Sequence, residues 1–126
     1  MRLLLIVEDD PDTRNTMGAM LSDLGYSVVD AADGRRALEA LRSLRPDLVL
    51  LDYGLPAPKE GDDFLRAKAA DTEIASIPVV VMSGFNLPSK IDGTVAVIQK
   101  PFDFDRLVAL IRRLIGPPHK PDTATA

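Results

Sequence analysis

The sequence predicts an α/β protein built on an open, doubly wound parallel sheet of five strands, with helices on both faces. Short β-branched or leucine-rich runs alternate with stretches of helical apolar spacing, and this repeat implies parallel strands joined by right-handed crossovers. Residues 48–51 and 79–81 are apolar throughout, which is typical of strands covered on both faces. An all-helical protein is the alternative, but the apolar runs are too short for helices.

The first strand is predicted at residues 2–7, where five apolar residues follow Arg2. The first helix has apolar residues at i, i+3, i+4 and i+7, and Gly25 is a suitable stop after it. These apolar residues are Met17, Met20, Leu21 and Leu24. The second strand is predicted at residues 27–31, so a strand–helix–strand unit opens the chain.

The second helix is predicted to begin at Asp33-Gly34 and to end at Pro46. Its apolar stripe consists of Ala37, Leu38 and Leu41. The third strand follows at residues 48–51. The next helix has a weaker signal and is predicted around residues 62–70, with Phe64 and Leu65 as its main apolar contacts.

The fourth and fifth strands are predicted at residues 78–82 and 95–99. Only twelve residues separate Met82 from Val95, so a single turn around residues 88–91 or a plain loop is expected there. The last helix has the clearest pattern, with acidic residues in its first turn and arginines near its end, an order that suits the helix dipole. Its apolar face consists of Leu107, Leu110, Ile111 and Leu114. Gly116 and two prolines then end it.

Length and composition restrict the function. With 126 residues one domain is expected, at residues 1–116, followed by a flexible tail at 117–126. The chain has no cysteine and one histidine, His119, in the predicted tail, which excludes thiol chemistry and disfavours a histidine-based site. A net charge of −4 argues against nucleic-acid binding. No apolar run is long enough to span a membrane and no signal peptide is present, so a cytoplasmic protein is expected.

The reactive side chains follow the predicted strands. Strand one ends in Glu8-Asp9-Asp10, strand three in Asp52, strand four in Ser83 and strand five in Lys100. Ligands of open parallel sheets bind beyond the carboxyl ends of the strands, so these residues are the candidates for a site. Each alone is an ordinary turn, cap or loop residue, and only their joint occurrence at one edge points to chemistry.

Electrostatics indicates what this edge would bind. Two carboxylates about 4 Å apart repel by roughly 1 kcal/mol in water and by about 4 kcal/mol at an effective dielectric of about 20. Glu8, Asp9 and Asp52 therefore need counter-charge, from Lys100 and from a divalent cation. Oxygen ligands without histidine or cysteine select a hard ion such as Mg²⁺. Beside these groups Asp52 could act as a nucleophile toward phosphorus.

The chain resembles the receiver domains of two-component response regulators over residues 2 to about 115. The resemblance rests on the order and spacing of several segments, which are residues 5–11, Asp33-Gly34, residues 46–52, Leu55-Pro56, Gly61, residues 77–84 and residues 99–102. It implies a flavodoxin-like sheet with strand order 2-1-3-4-5.

The resemblance also implies a role for each site residue. Asp52 would be phosphorylated by a histidine kinase, while Glu8, Asp9, Asp52 and the Gly54 carbonyl would hold Mg²⁺. Ser83 would act as the switch hydroxyl and Lys100 would pair with the phosphoryl oxygens. The Lys100–Pro101 peptide bond is typically cis in such domains.

Three features depart from the family pattern. Gly61 lies one position further from Asp52 than expected, and residues 56–59 read as an altered loop. The interval from Ser83 to Lys100 is several residues short, so the family's fourth helix should be shortened or missing. Val97 stands where an aromatic residue commonly reports phosphorylation. In ordinary receivers the fourth helix, the fifth strand and the fifth helix form the signalling face. Signal output through that face is therefore not expected here.

The predicted function is a phosphoacceptor signalling domain, acting as a single-domain response regulator or as a phosphorelay receiver. Its predicted partners are a histidine kinase or phosphotransfer protein and an unknown downstream protein, without nucleic acid or membrane. It is not expected to be an enzyme beyond self-catalysed phosphoryl acceptance and autodephosphorylation. The latter should be slow, since Gly54 and Phe85 cannot orient water. The alternatives are an interaction domain that no longer switches and a Mg²⁺-dependent phosphohydrolase.

Overall fold

The structure is a computed structural model that describes residues 2–53, 58–84, 91 and 93–118. Its elements are β1 (Leu3–Val7), α1 (Pro11–Asp23), β2 (Ser27–Ala31), α2 (Gly34–Leu44), β3 (Leu48–Asp52), α3 (Pro58–Ala70), β4 (Val79–Ser83), β5 (Ala96–Gln99) and α4 (Phe104–Ile115). The strands form one parallel sheet in the order β2-β1-β3-β4-β5. The predicted fold class and all five predicted strands are confirmed.

Three helices begin directly after an aspartate that serves as their N-cap. The carboxylate of Asp10 accepts a hydrogen bond from the Thr13 amide at 3.0 Å at the start of α1. Asp33 caps α2 in the same way, through the Arg36 amide at 2.8 Å, and Asp103 caps α4. These caps satisfy amides that have no acceptor within the helix. They also fix where the connections that follow β1 and β2 end.

The core consists of two layers, one on each face of the sheet. Helices α1 and α4 cover one face, where Leu21 and Ile111 are fully buried, and helices α2 and α3 cover the other. Successive residues of β1, β3 and β4 point alternately into the two layers, as strand geometry requires. The three central strands are therefore packed against helices on both faces of the sheet. This packing fixes the positions of the residues at the strand ends.

Helix α3 begins earlier than predicted. Pro58 and Lys59 were expected in an altered loop, and the helix was expected from residue 62, whereas α3 starts at Pro58. Proline is tolerated in a first helical turn, because the amide that it lacks has no acceptor there. The expectation of a loop was wrong for residues 58 and 59, and residues 56 and 57 lie outside the described part of the chain.

The described residues contain four helices, and none of those between Ser83 and Ala96 is helical. This agrees with the prediction that the fourth helix of the family is shortened or missing. Most of the turn predicted at residues 88–91 lies outside the described residues, as do Phe85 and His119. Pro118 is buried, and its carbonyl accepts a hydrogen bond from the Arg2 amide at 3.2 Å.

Candidate functional site

The carboxyl ends of β1 and β3 bring three acidic side chains together. Glu8, Asp9 and Asp52 each offer a carboxylate oxygen, and these oxygens lie within 4.8 Å of one another. Glu8 and Asp52 are buried, whereas Asp9 is exposed. The cluster forms because β1 and β3 are parallel neighbours with Val7 opposite Leu51. The strands therefore end side by side.

Lys100 supplies positive charge to the two buried carboxylates. Its Nζ atom lies 3.1 Å from Asp52 Oδ1 and 3.8 Å from Glu8 Oε1. The backbone of Lys100 is held as well, since its amide donates to the Ser83 carbonyl at 2.7 Å. The end of β5 thus fixes the ammonium group beside Asp52, where it offsets part of the repulsion between the acids.

Ser83 ends β4 at the same edge of the sheet. It is fully buried and lies opposite Gln99, while Met82 lies opposite Asp52. The Lys100–Pro101 peptide bond is cis, in agreement with the resemblance. The structure therefore brings together Glu8, Asp9, Asp52, Ser83 and Lys100, whereas Gly54 lies outside the described residues.

The loop after β1 is fixed by contacts to its backbone and side chains. The Glu8 amide donates to the Ala31 carbonyl at 3.1 Å, and the Arg14 guanidinium donates to the Glu8 carbonyl at 2.9 Å. The third acidic residue, Asp10, caps α1 and is exposed, so its role is structural. Its hydrogen bonds with Thr13 lower the pKa of its carboxyl. Two of the three consecutive acids are left for the cluster.

A family model described as the response regulator receiver domain matches residues 4–112. The chain belongs to this family. It is a receiver domain of the two-component type, and phosphoacceptor signalling is the function of this family.

Proteins from bacteria and from Dictyostelium are similar to this receiver in sequence. Protein Rrf1 of Nitratidesulfovibrio vulgaris is 32% identical over 98% of this chain and 93% of its own length. Response regulator Rre1 of Synechocystis is 36% identical over 90% of this chain, which spans 51% of that protein. Hybrid signal transduction histidine kinase D of Dictyostelium discoideum is 30% identical over 90% of this chain and 8% of its own length. The receiver thus matches nearly all of one relative and only part of the other two.

Solved structures of response regulators have the same fold. The chemotaxis response regulator CheY4 of Vibrio cholerae has a TM-score of 0.78 and is 26% identical, over 91% of this chain and 99% of that one. A second CheY4 structure, crystallised at low pH, gives a TM-score of 0.81 at 27% identity, with the same coverage.

A search of the helices in the described part of the receiver found no candidate for a transmembrane span.

The proximity of the acids changes the titration of Glu8. Burial, together with the hydrogen bond to Asp52 and the negative charge of Asp52, raises the pKa of its carboxyl to about 8. The ammonium of Lys100 and the Asp10 amide act against this increase of the pKa. Near neutral pH the cation-free receiver therefore holds a proton on Glu8, which reduces the charge of the cluster.

This pKa predicts opposite effects of pH on the receiver with and without Mg²⁺. Between the unfolded pKa of 4.5 and about 8 the folded chain binds more protons than the unfolded chain, so stability without metal should fall as pH rises. Mg²⁺ competes with the proton, so the increase in Tm that MgCl₂ causes should grow up to pH 8 and then level off. Thermal unfolding at several pH values, with and without MgCl₂, measures the pH dependence of the Tm without metal and the increase in Tm that the metal causes.

Glu8→Gln is the control for this experiment, since it removes the titrating group and keeps the shape of the side chain. In this variant the pH dependence of the Mg²⁺ effect should largely disappear. An increase in Tm that is the same at about pH 6 and about pH 9 in the wild-type receiver would contradict the assignment to Glu8.

Sequence reasoning missed two side-chain contacts of α3. Tyr53, which follows Asp52, is buried, and its hydroxyl donates a hydrogen bond to Asp62 Oδ1 on α3. The amine of Lys68, also on α3, is buried and donates to the Ala75 carbonyl at 2.8 Å. Burial lowers the pKa of Lys68. Both are tertiary contacts that leave no periodic signal in the sequence.

Proposed function

We propose that Asp52 of this receiver accepts a phosphoryl group from a histidine kinase or a phosphotransfer protein, in a reaction that requires Mg²⁺. The observation that supports this proposal most directly is the position of Lys100, whose Nζ lies 3.1 Å from Asp52 Oδ1 beside two further carboxylates. A buried carboxylate next to an ammonium group and a cation-binding cluster can both attack phosphorus and have the charge of the product neutralised.

In the proposed reaction a carboxylate oxygen of Asp52 forms a bond to phosphorus, and the bond between phosphorus and the donor breaks. With a histidine donor that bond is to nitrogen, and the imidazole leaves with the electron pair. Lys100 would move its hydrogen bond from Asp52 to a phosphoryl oxygen, and Ser83 would provide a hydroxyl to another. Transfer of this kind depends mainly on positioning and on stabilisation of negative charge.

The acidic cluster fits a hard divalent cation. Its ligands are oxygens, and three of them lie within 4.8 Å of one another, which allows a cation that keeps several waters to be held between them. We propose Glu8, Asp9 and Asp52 as the ligands of Mg²⁺, with the Gly54 carbonyl as a further ligand on the strength of the family resemblance. The bound cation would neutralise part of the phosphoryl charge.

The expected setting is the cytoplasm, where a kinase domain would dock beside the acidic edge and an unknown protein would receive the signal. No nucleic acid or membrane is proposed as a partner. Autodephosphorylation is proposed to be slow, because Gly54 and Phe85 have no side-chain group to orient water. None of the comparisons favours the alternative of an interaction domain that no longer switches.

The direct test is incubation of the receiver with acetyl phosphate and Mg²⁺, followed by intact-mass measurement. We expect the mass to increase by one phosphoryl group, and we expect EDTA to prevent the increase. Beryllofluoride with Mg²⁺ should bind at the same residue and alter the amide spectrum around it. Absence of both effects would refute the proposal.

A further inference from the structure

A hydrogen-bonded pair lies directly behind the proposed phosphoacceptor. Tyr53 is the residue after Asp52, and only 8% of its surface is exposed. Its amide donates to the Met82 carbonyl at 2.9 Å, which extends the β3–β4 ladder by one residue. Its hydroxyl donates to Asp62 Oδ1 in the second turn of α3. Tyr53 therefore links the end of β3 both to β4 and to α3.

Gly61 allows the ring of Tyr53 to reach α3. A Cβ atom at residue 61 would lie 3.0 Å from Cδ1, 3.3 Å from Cε1 and 3.4 Å from the carbonyl oxygen of Tyr53. Few real side chains approach so closely, and close packing leaves little room to move. Gly61, which lies one position further from Asp52 than in the family pattern, is therefore the residue against which the ring of Tyr53 packs.

Tyr53 and Asp62 lie at the end of β3 and near the start of α3. Residues 54–57 join Tyr53 to Pro58, and the Tyr53–Asp62 hydrogen bond fixes the strand end relative to the helix that follows. Any motion of α3 away from the sheet would break this partly buried hydrogen bond and open the packing of the Tyr53 ring on Gly61. Both losses oppose such a motion.

We propose that Tyr53 and Asp62 are positioning residues that hold the end of β3, where Asp52 stands, against α3 in the geometry that Mg²⁺ binding and phosphorylation require. This inference rests on the proposed function of Asp52 and adds a support that lies outside the acidic cluster. Contacts that orient a metal ligand commonly change metal affinity by about tenfold or more, and Tyr53 is the chain neighbour of the proposed ligand Asp52. The pair also joins the phosphoacceptor strand to α3, a connection that does not involve Val97.

The test compares Tyr53→Phe and Asp62→Ala with Asp63→Ala. The phenylalanine keeps the ring on Gly61 and removes only the hydroxyl. Asp63 is the neighbouring helical acid, with 52% of its side chain exposed and an ion pair to Arg66, so its removal costs the same charge. Mg²⁺ affinity and the rate of phosphorylation by acetyl phosphate at saturating Mg²⁺ are measured for each folded variant.

We expect Tyr53→Phe and Asp62→Ala each to weaken Mg²⁺ binding by about tenfold, and the double variant to be no weaker than either single one. Asp63→Ala should bind as the wild type does. A purely structural role would lower the Tm and leave the Mg²⁺ affinity of the folded protein unchanged, so affinities within twofold of wild type would overturn the inference. If the wild type itself neither binds Mg²⁺ nor is phosphorylated, the proposed function fails as well.

A spectroscopic measurement tests the hydrogen bond separately. The chain has two tyrosines and no tryptophan, so Tyr26→Phe leaves Tyr53 as the only tyrosine. Its emission reports the state of its hydroxyl. We expect Asp62→Ala to change that emission in this background and Asp63→Ala to leave it unchanged. Equal emission in the two variants would show that the bond is absent and would also overturn the inference.

Discussion

Asp52→Asn is expected to abolish phosphoryl uptake, slowing modification by acetyl phosphate by roughly a thousandfold or more. The amide has the size of the carboxylate but no anionic oxygen to attack phosphorus, so the bond to phosphorus cannot form at this residue. Folding should persist, because asparagine keeps the size of the side chain and its amide oxygen can still accept a hydrogen bond from Lys100. Intact-mass measurement over time gives the rate, and thermal unfolding confirms that the variant is folded.

Asp23→Asn is the matched control for this variant. Asp23 is the exposed last residue of α1, so the substitution makes the same chemical change at a site without a proposed role. We expect its rate of modification to equal that of the wild type. Undiminished uptake by the Asp52→Asn variant would move the phosphoacceptor to another residue and overturn the assignment.

The sheet and most of the site could be predicted from the sequence, because both depend on local signals. Residues 48–51 and 79–81 are continuous apolar runs that identify central strands, and parallel strands place the residues that follow them at a single edge. Glu8, Asp52, Ser83 and Lys100 could therefore be assigned to one edge without coordinates. The residue types and their positions directly after the apolar runs were sufficient for this assignment.

The contacts that could not be predicted depend on distances between elements. The hydrogen bond of Tyr53 to Asp62 requires the tilt of α3 against the sheet, which no periodicity specifies. The start of α3 was missed because Pro58 ends a helix in most contexts and begins one only when it stands in the first turn. The raised pKa of Glu8 depends on burial beside Asp52, which adjacent acidic letters in the sequence do not indicate.

Lys100→Met is expected to slow phosphorylation by roughly a hundredfold, the usual cost of removing one group that stabilises developing charge. Methionine keeps much of the length of the side chain and removes the ammonium that lies 3.1 Å from Asp52 Oδ1. Lys100→Arg keeps the charge in a different shape and should recover part of the rate. The rate of phosphorylation by acetyl phosphate at saturating Mg²⁺ is measured for the wild type, Lys100→Met and Lys100→Arg.

The Mg²⁺ affinity of Lys100→Met separates two roles of the lysine. The ammonium of Lys100 repels Mg²⁺, so its removal should leave Mg²⁺ binding at least as tight as in the wild type. Because loss of Lys100 also raises the pKa of Glu8 further, the two affinities are measured over a range of pH and compared where Glu8 is ionised in both proteins. Slow phosphorylation with undiminished Mg²⁺ binding assigns Lys100 to the phosphoryl group. A parallel loss of both would mean that the lysine mainly holds Glu8 and Asp52 in place, since without it two buried carboxylates repel each other and the edge of the sheet rearranges.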